Sequence, residues 1–343
     1  MRFQLFATLL LYSSLRLQAQ VDYLKTYHPL IVQAEAALLD SNYTVALNHY
    51  QTAFQRVPRP FAKDFYNAAI CAVELKKEDI AFQYLDSLIT KGVKKSFFET
   101  LIPLQALKQH PKWQKWIQTF DGKFQQWNQD KNVTIRQTLK GLEYADQEFR
   151  SRPNKYERYR DTINQIDKMN VHFLKQIIQT NGFPNENWIG IENPMHNDLP
   201  AYVLFLHQFQ KMSSGIGDFD FTEIVLKAVR EGQLMPHTAA YWLTMSNQLS
   251  YNFGDTGLTI IVYKDQTTGF RVIRYNAGEK AKINENRQTF GLEPLESLYQ
   301  KAIVKFNPKI IQKFAFADVQ MSELNCGTQE TFNKFLKTTE PIQ

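Results

Sequence analysis

The sequence has little cysteine, with only Cys71 and Cys326 in 343 residues. Two thiols make no disulfide framework, and no metal-ligand spacing surrounds them, so no metal site or cofactor is expected. Long apolar runs are missing too. Beyond residue 20 no segment approaches the ~18 apolar residues that cross a bilayer, which excludes an integral membrane segment after the leader. There is no G-x-S-x-G, no H-E-x-x-H and no paired-cysteine motif, which excludes the commonest hydrolase, zinc-peptidase and thiol-redox signatures. A one-sided charge is absent as well. Lys and Arg number 40 against 34 Asp and Glu, for a net charge of +6. The basic residues are scattered, and the densest group, KGVKK at 91–95, reads as a solvated face, so no nucleic-acid partner is implied.

What remains is ordinary globular material. Hydrophobic residues make up 43% and charged residues 22%, and 25 Phe, 16 Tyr and 5 Trp supply area for burial. The length suits two domains. Residues 1–20, MRFQLFATLLLYSSLRLQAQ, give a basic start at Arg2, a short apolar stretch from Leu5 to Tyr12 and a small-residue end. This is the layout of a secretory signal peptide, so the expectation is an exported chain, periplasmic or secreted. In an oxidising compartment Cys71 and Cys326 could pair. Cys71 lies in YNAAICAVEL, a packed helix by its pattern, and reads as a buried free thiol.

Residues 29–92 repeat with a period of 35. Ala34, Ala37 and Ala46 recur as Ala69, Ala72 and Ala81, while Leu30, Leu47 and Tyr50 recur as Phe65, Phe82 and Leu85. Small residues at fixed points let helices approach, and large ones fill the space between hairpins. The segment 42–58 resembles the second helix of a tetratricopeptide repeat, 64–92 resembles the next unit, and 97–117 reads as a degenerate third. Repeats of this kind offer a concave surface to a protein partner, or else they buttress the second domain. The polar stretch 120–134, with its Asp-Gly and Asn residues, marks a domain boundary. The expectation is thus a tetratricopeptide-like domain over 21–125, a helical domain over 135–300 and an extension over 301–343. The fold class is mainly α, with helical hairpins and then a helical bundle.

The back half carries the polar candidates. Asp146 and Arg150 are four apart, the spacing of a surface ion pair on a helix. In the next helix Asn170 falls inside an apolar stripe of Ile163, Ile166, Phe173, Leu174 and Ile177, and Asp167 flanks it. A buried amide without a partner costs about 1–3 kcal/mol, so Asn170 must meet a structural network or a ligand. Pro200 opens a helix, AYVLFLHQFQKM, apolar on every side, which places His207 and Gln208 at the end of a central helix before SSGIG. His207 is the best acid–base candidate in the chain. Residues 258–276 alternate Ile, Val and Tyr around a Thr-Thr-Gly turn, a β-hairpin pattern. Gly291 and Pro294 then break the chain between short helices, and the tail to Gln343 is mixed.

Across about 135–300 the chain resembles an uncharacterised bacterial helical domain family. The resemblance rests on DQEFR (Asp146, Gln147, Arg150), DKMN (Asp167, Asn170) and NGFPNENWIG (Gly182, Pro184, Gly190). REGQLMP (Glu231, Gly232, Pro236) and NRQTFGLEPLESLY (Arg287, Gly291, Leu292, Pro294, Leu295) also carry it. The family reads Gln-His where this chain has His207-Gln208, and Tyr-Gly-Thr-Gln where it has Phe253-Gly254-Asp255-Thr256. Moving an imidazole by one helical position turns it about 100°, and Phe lacks the tyrosine hydroxyl. The resemblance implies a shared scaffold with altered chemistry.

Two functions are compatible with these features. The first is an exported interaction or scaffold protein that holds a partner on its repeats. The second is a hydrolase-like enzyme or small-ligand binder with a pocket among Asp146, Gln147, Arg150, Asp167, Asn170, His207 and Gln208. There His207 would be general base, oriented by Asp167, and Arg150 would bind an anionic group.

Overall fold

The computed structural model describes residues 21–129, 133–195, 199–246, 252–254, 257–306, 313–316 and 320–342. The signal-peptide reading, and Asp255 and Thr256 of the altered motif, lie outside the described residues. The chain is mainly helical with a small sheet near its C-terminus. No helix among the described residues is long and apolar enough to cross a membrane.

The repeat forms two antiparallel hairpins, α2 (His28–Leu39) with α3 (Tyr43–Arg56) and α4 (Ala62–Glu74) with α5 (Glu78–Ile89), preceded by the single turn α1 (Tyr23–Thr26). All six of the recurring alanines are buried. The period is also written in the backbone. Ser41 and Lys76 both adopt φ of 55°, and the next residue closes each turn, Asn42 N–H to the Ala37 carbonyl and Lys77 N–H to the Ala72 carbonyl, both at 2.8 Å. The same left-handed cap thus ends α2 and α4, without the glycine that usually serves there.

The degenerate third unit is not a hairpin. Residues 95–118 fold as α6 (Lys95–Thr100), a 3-10 turn at Ile102–Leu104, α7 (Gln105–Lys108) and α8 (Lys112–Gln118), because Pro103 and Pro111 interrupt longer helices. The polar stretch expected as a boundary carries α9 (Phe120–Gln129), whose Phe120 and Trp127 are buried. Trp127 lies against Gly92 and Gly190, both at positive φ, where a Cβ would come within 2.4 Å and 2.3 Å of the indole. Two turns from distant parts of the sequence therefore meet on one ring, and only glycine fits either.

The back half begins with α10 (Val133–Arg150), the single turn α11 (Lys155–Arg158) and the long α12 (Arg160–Asn181). Then come α13 (Tyr202–Ser213), α14 (Thr222–Arg230) and α15 (Pro236–Met245). Pro236 occupies the first position of α15, where its missing N–H is harmless. Helix α13 begins after Ala201, at φ 94°, and continues to Ser213, so His207 and Gln208 sit in its middle rather than at its end. Leu204, Phe205 and Phe209 are buried, with the Phe205 ring stacked between Phe183 and Trp242.

The hairpin is present, but its turn is elsewhere. β1 (Gly257–Tyr263) pairs antiparallel with β2 (Gln266–Thr267) across Lys264-Asp265, and Lys264 supplies the positive φ. The Thr-Thr-Gly stretch instead ends β2 at Thr267 and leads into β3 (Arg271–Ile273), which pairs with the same strand, Thr259 opposite Arg271. After α16 (Ala277–Thr289) and α17 (Leu295–Phe306) the tail proves structured. β4 (Gln320–Asn325) lies parallel to β1, and α18 (Gln329–Thr338) leads into β5 (Thr339–Pro341) against β3.

The tail also returns to the repeats. Asn67 Nδ2 donates to the Ala315 carbonyl and Asn67 Oδ1 accepts from Ala315 N–H, both at 2.8 Å, and Tyr66 Oη donates to the Lys313 carbonyl at 2.7 Å. One continuous apolar cluster runs from Tyr23 to Phe316, and a smaller one under the sheet gathers Leu258, Val272, Ile283 and Leu298. Cys71 is buried and Cys326 half-buried, and both are free thiols. Burial pushes the Cys71 thiol up to about 12.

Candidate functional site

Asp146 is a fully buried carboxylate in the last turns of α10, and four side chains converge on it. Gln147 Nε2 donates to Oδ2 at 2.7 Å, Arg150 Nη1 donates to Oδ1 at 2.8 Å and Asn170 Nδ2 donates to Oδ1 at 3.2 Å. His207 Nδ1 lies 2.9 Å from Oδ2 without forming a hydrogen bond to it. Arg150 also reaches α12, where Nη2 donates to Asp167 Oδ1 at 2.6 Å. Lys211, one turn beyond His207 on α13, lies 3.5 Å from Asp167 Oδ2 and 2.7 Å from Asp218. Three helices are thereby tied by one network of alternating charge.

Of the seven sequence candidates, six meet here. Gln208 does not. It is buried one position round α13, with its Oε1 unpartnered, and takes no part in the network. Two roles change. The Asp146–Arg150 pair is buried rather than on the surface, because α12 and α13 cover it. The carboxylate beside His207 is Asp146, not Asp167, and Arg150 and Lys211 already hold the Asp167 carboxylate. Asn170 finds its partner in Asp146, so the network meets the cost of burying its amide.

The network opens onto a cavity of about 310 Å³, at the small end of ligand pockets. Arg150, Asp167, His207 and Lys211 line its inner part, and Arg160, Asn164 and Ile163 from α12 line its wall. Sequence reasoning missed Lys211, Arg160 and Asn164, although a signal was available. Arg160, Asn164 and Asp167 stand at i, i+4 and i+7, and His207, Lys211 and Ser214 repeat that spacing, so each trio shares a helical face.

One ligand atom from each of Asp146, Asp167 and His207 lies within 4.8 Å of the others, a spacing that a metal ion could span. The set fits a metal poorly. The Arg150 guanidinium already bridges both carboxylates, so a cation there would have to displace a charge bonded to each of them. The arrangement is better suited to acid–base work. The Asp146 carboxylate lies beside Nδ1 without a hydrogen bond to it, and the His207 ring borders the cavity, where it can meet a ligand.

A second polar cluster lies between the repeats and the back half, and nothing in the sequence pattern pointed to it. Lys63 on α4 contacts Glu35 on α2 and also Asp64 at 2.7 Å, and Tyr27 Oη donates to Asp64 at 2.6 Å. Lys301 on α17 contacts Glu35 and lies 3.1 Å from Glu293, which meets His237 Nε2 at 2.7 Å. Burial alone would raise Glu293, but His237 and Lys301 outweigh it and hold the carboxyl well below its usual range. Glu35 is lowered in the same way by Lys301 and Lys63. His28, packed beside them with Nε2 unpartnered, is pushed down to about 3 by burial, helped by His237 and Lys63.

No protein-family profile, curated protein or solved structure matches the chain.

Proposed function

We propose that the protein binds a small ligand in the cavity between α10, α12 and α13 and acts on it as a hydrolase, with His207 as general base. The observation that carries this is the Asp146–His207 pair, 2.9 Å apart, beside a solvent-open cavity. His207 Nε2 takes a proton from water as the water oxygen attacks an acyl or phosphoryl centre. The proton then passes to the leaving group. Asp146, beside Nδ1, offsets the charge of the imidazolium as it forms, and Arg150 ties Asp146 to Asp167.

The partner-holding reading of the repeats has less support. Most of α4 is buried, and residues 313–316 and α17 cover the face that a partner would use. The hairpins act here as a buttress. Export remains part of the proposal on the strength of residues 1–20, and N-terminal sequencing of the mature protein tests it.

The decisive experiment is a panel of chromogenic esters, phosphoesters and amides, run on the wild type and on His207→Asn. A rate loss of roughly 10²–10⁴-fold is expected for a lost general base, with the melting temperature little changed. Equal turnover in both proteins would remove His207 from the chemistry.

A further inference from the structure

The charges of the inner cavity are paired with one another, while the rim carries exposed side chains. Tyr156 on α11 is 57% exposed and Ile216, just beyond α13, is 60% exposed, and both line this cavity. Neither belongs to a loose end. Gly215, at φ 70°, ends α13, and Ile216 N–H returns to the Lys211 carbonyl at 3.1 Å. In such a cap the apolar residue ordinarily folds back on the last helical turn. Here it stands in solvent beside the opening. On the other side, Asn154 at φ 53° starts α11 and so sets the position of Tyr156.

The charges of the rim differ from those of the interior. Arg150 is committed to two aspartates, and Lys211 is shared between Asp167 and Asp218. Arg160, the first residue of α12, is exposed and has no ion-pair partner among the described residues. An anion in the cavity would be repelled from Asp167 and drawn to Arg160, with Lys211 beside it. Exposed apolar side chains next to a free cation match a ligand that has both characters.

We infer that the ligand is a small amphipathic anion. Its aromatic or aliphatic body lies on Tyr156 and Ile216, and its oxyanion group reaches Arg160 and Lys211. The inference takes the location of the pocket from the proposed function but does not depend on the acid–base step.

The test is calorimetric titration of the full chain with benzenesulfonate, sulfate and benzyl alcohol, none of which is a hydrolysable ester or amide. Benzenesulfonate should bind roughly tenfold or more tightly than either half-probe, since sulfate lacks the aromatic body and benzyl alcohol lacks the charge. Arg160→Gln should weaken benzenesulfonate about tenfold and leave benzyl alcohol unchanged. Ile216→Ser should weaken both aromatic probes and leave sulfate unchanged. Both replaced residues are exposed, so the fold tolerates the changes. Equal binding of the three probes, no binding of any, or indifference of benzenesulfonate to Arg160→Gln would each overturn the inference. The two proposals fail separately. If the probes behave as stated while His207→Asn keeps full turnover, only the acid–base reading falls. If His207→Asn is inactive and the probes do not bind, only the ligand class falls.

Discussion

The protein holds two clusters built from the same side chains, and they do different work. One joins Glu35, Lys63, Asp64, Glu293 and Lys301, all nearly inaccessible, with His237 at its edge. The other joins Asp146, Arg150, Asp167, Asn170, His207 and Lys211. Composition does not separate them, because each has carboxylates, cations and a histidine. Access does. The first is sealed by α2, α4 and α17 and acts as a strut between the repeats and the back half. The second is backed by a buried carboxylate but opens on one side into a cavity. An ion-pair network becomes a candidate site only where one side is left for a ligand.

The contrast breaks most readily at Glu35. Replacing it by Leu leaves Lys63 only Asp64 and Lys301 only Glu293 in a site closed to water, and a loss of about 3–5 kcal/mol is expected in urea unfolding. In the open cluster, Asp167→Asn leaves Arg150 its Asp146 partner and Lys211 its Asp218 partner. The loss there should be smaller, about 1–3 kcal/mol. Equal losses would mean that both clusters are struts.

A pH series sharpens the contrast. His28 has its folded value pushed down to about 3, against 6.5 for an ordinary histidine. Between those values the unfolded chain takes up the proton and the folded chain does not. Stability is therefore complete above pH 6.5 and falls as the pH drops toward 3, by about 1.4 kcal/mol per unit from this one group. Glu35 and Glu293 are held below 4.5, so their contribution is present above 4.5 and lost at lower pH. The His28→Leu variant should lose the slope from 6.5 to 4.5 and keep the decline below it. An unchanged slope across 6.5 to 4.5 would place the titrating group elsewhere.

The smallest effect concerns the repeats. Lys76→Gly should relieve the left-handed cap of α4 and raise stability by about 0.5–1 kcal/mol in thermal unfolding. A loss instead would show that the unfolded chain gains more freedom than the cap loses strain.

The hairpins are legible in the sequence because a period of 35 acts locally. Ala34 and Ala69 fix where helices approach, whatever lies beyond. Asp146 with Arg150, and Asp167 with Asn170, are legible as helical spacings, which also act within one element. Three features are not. The partner of His207 is Asp146 and not Asp167, because sequence gives the face of α13 but not its rotation against α10. Gly269 makes Thr-Thr-Gly the stronger local turn signal, yet pairing with β3 and β4 sets the register and moves the turn of β1 to Lys264-Asp265. The faint third repeat does not form a hairpin, because Pro103 and Pro111 outweigh its pattern.

By itself the sequence determined the helical class, the repeated hairpins and the polar residues worth examining, since periodicity and local turn chemistry act over a few residues. Only the tertiary structure decided which charges face a cavity and which are sealed. That depends on how helices far apart in the chain pack, as when Lys301 reaches Glu35 and His207 reaches Asp146. Solvent access belongs to the assembled fold, and no single segment carries it.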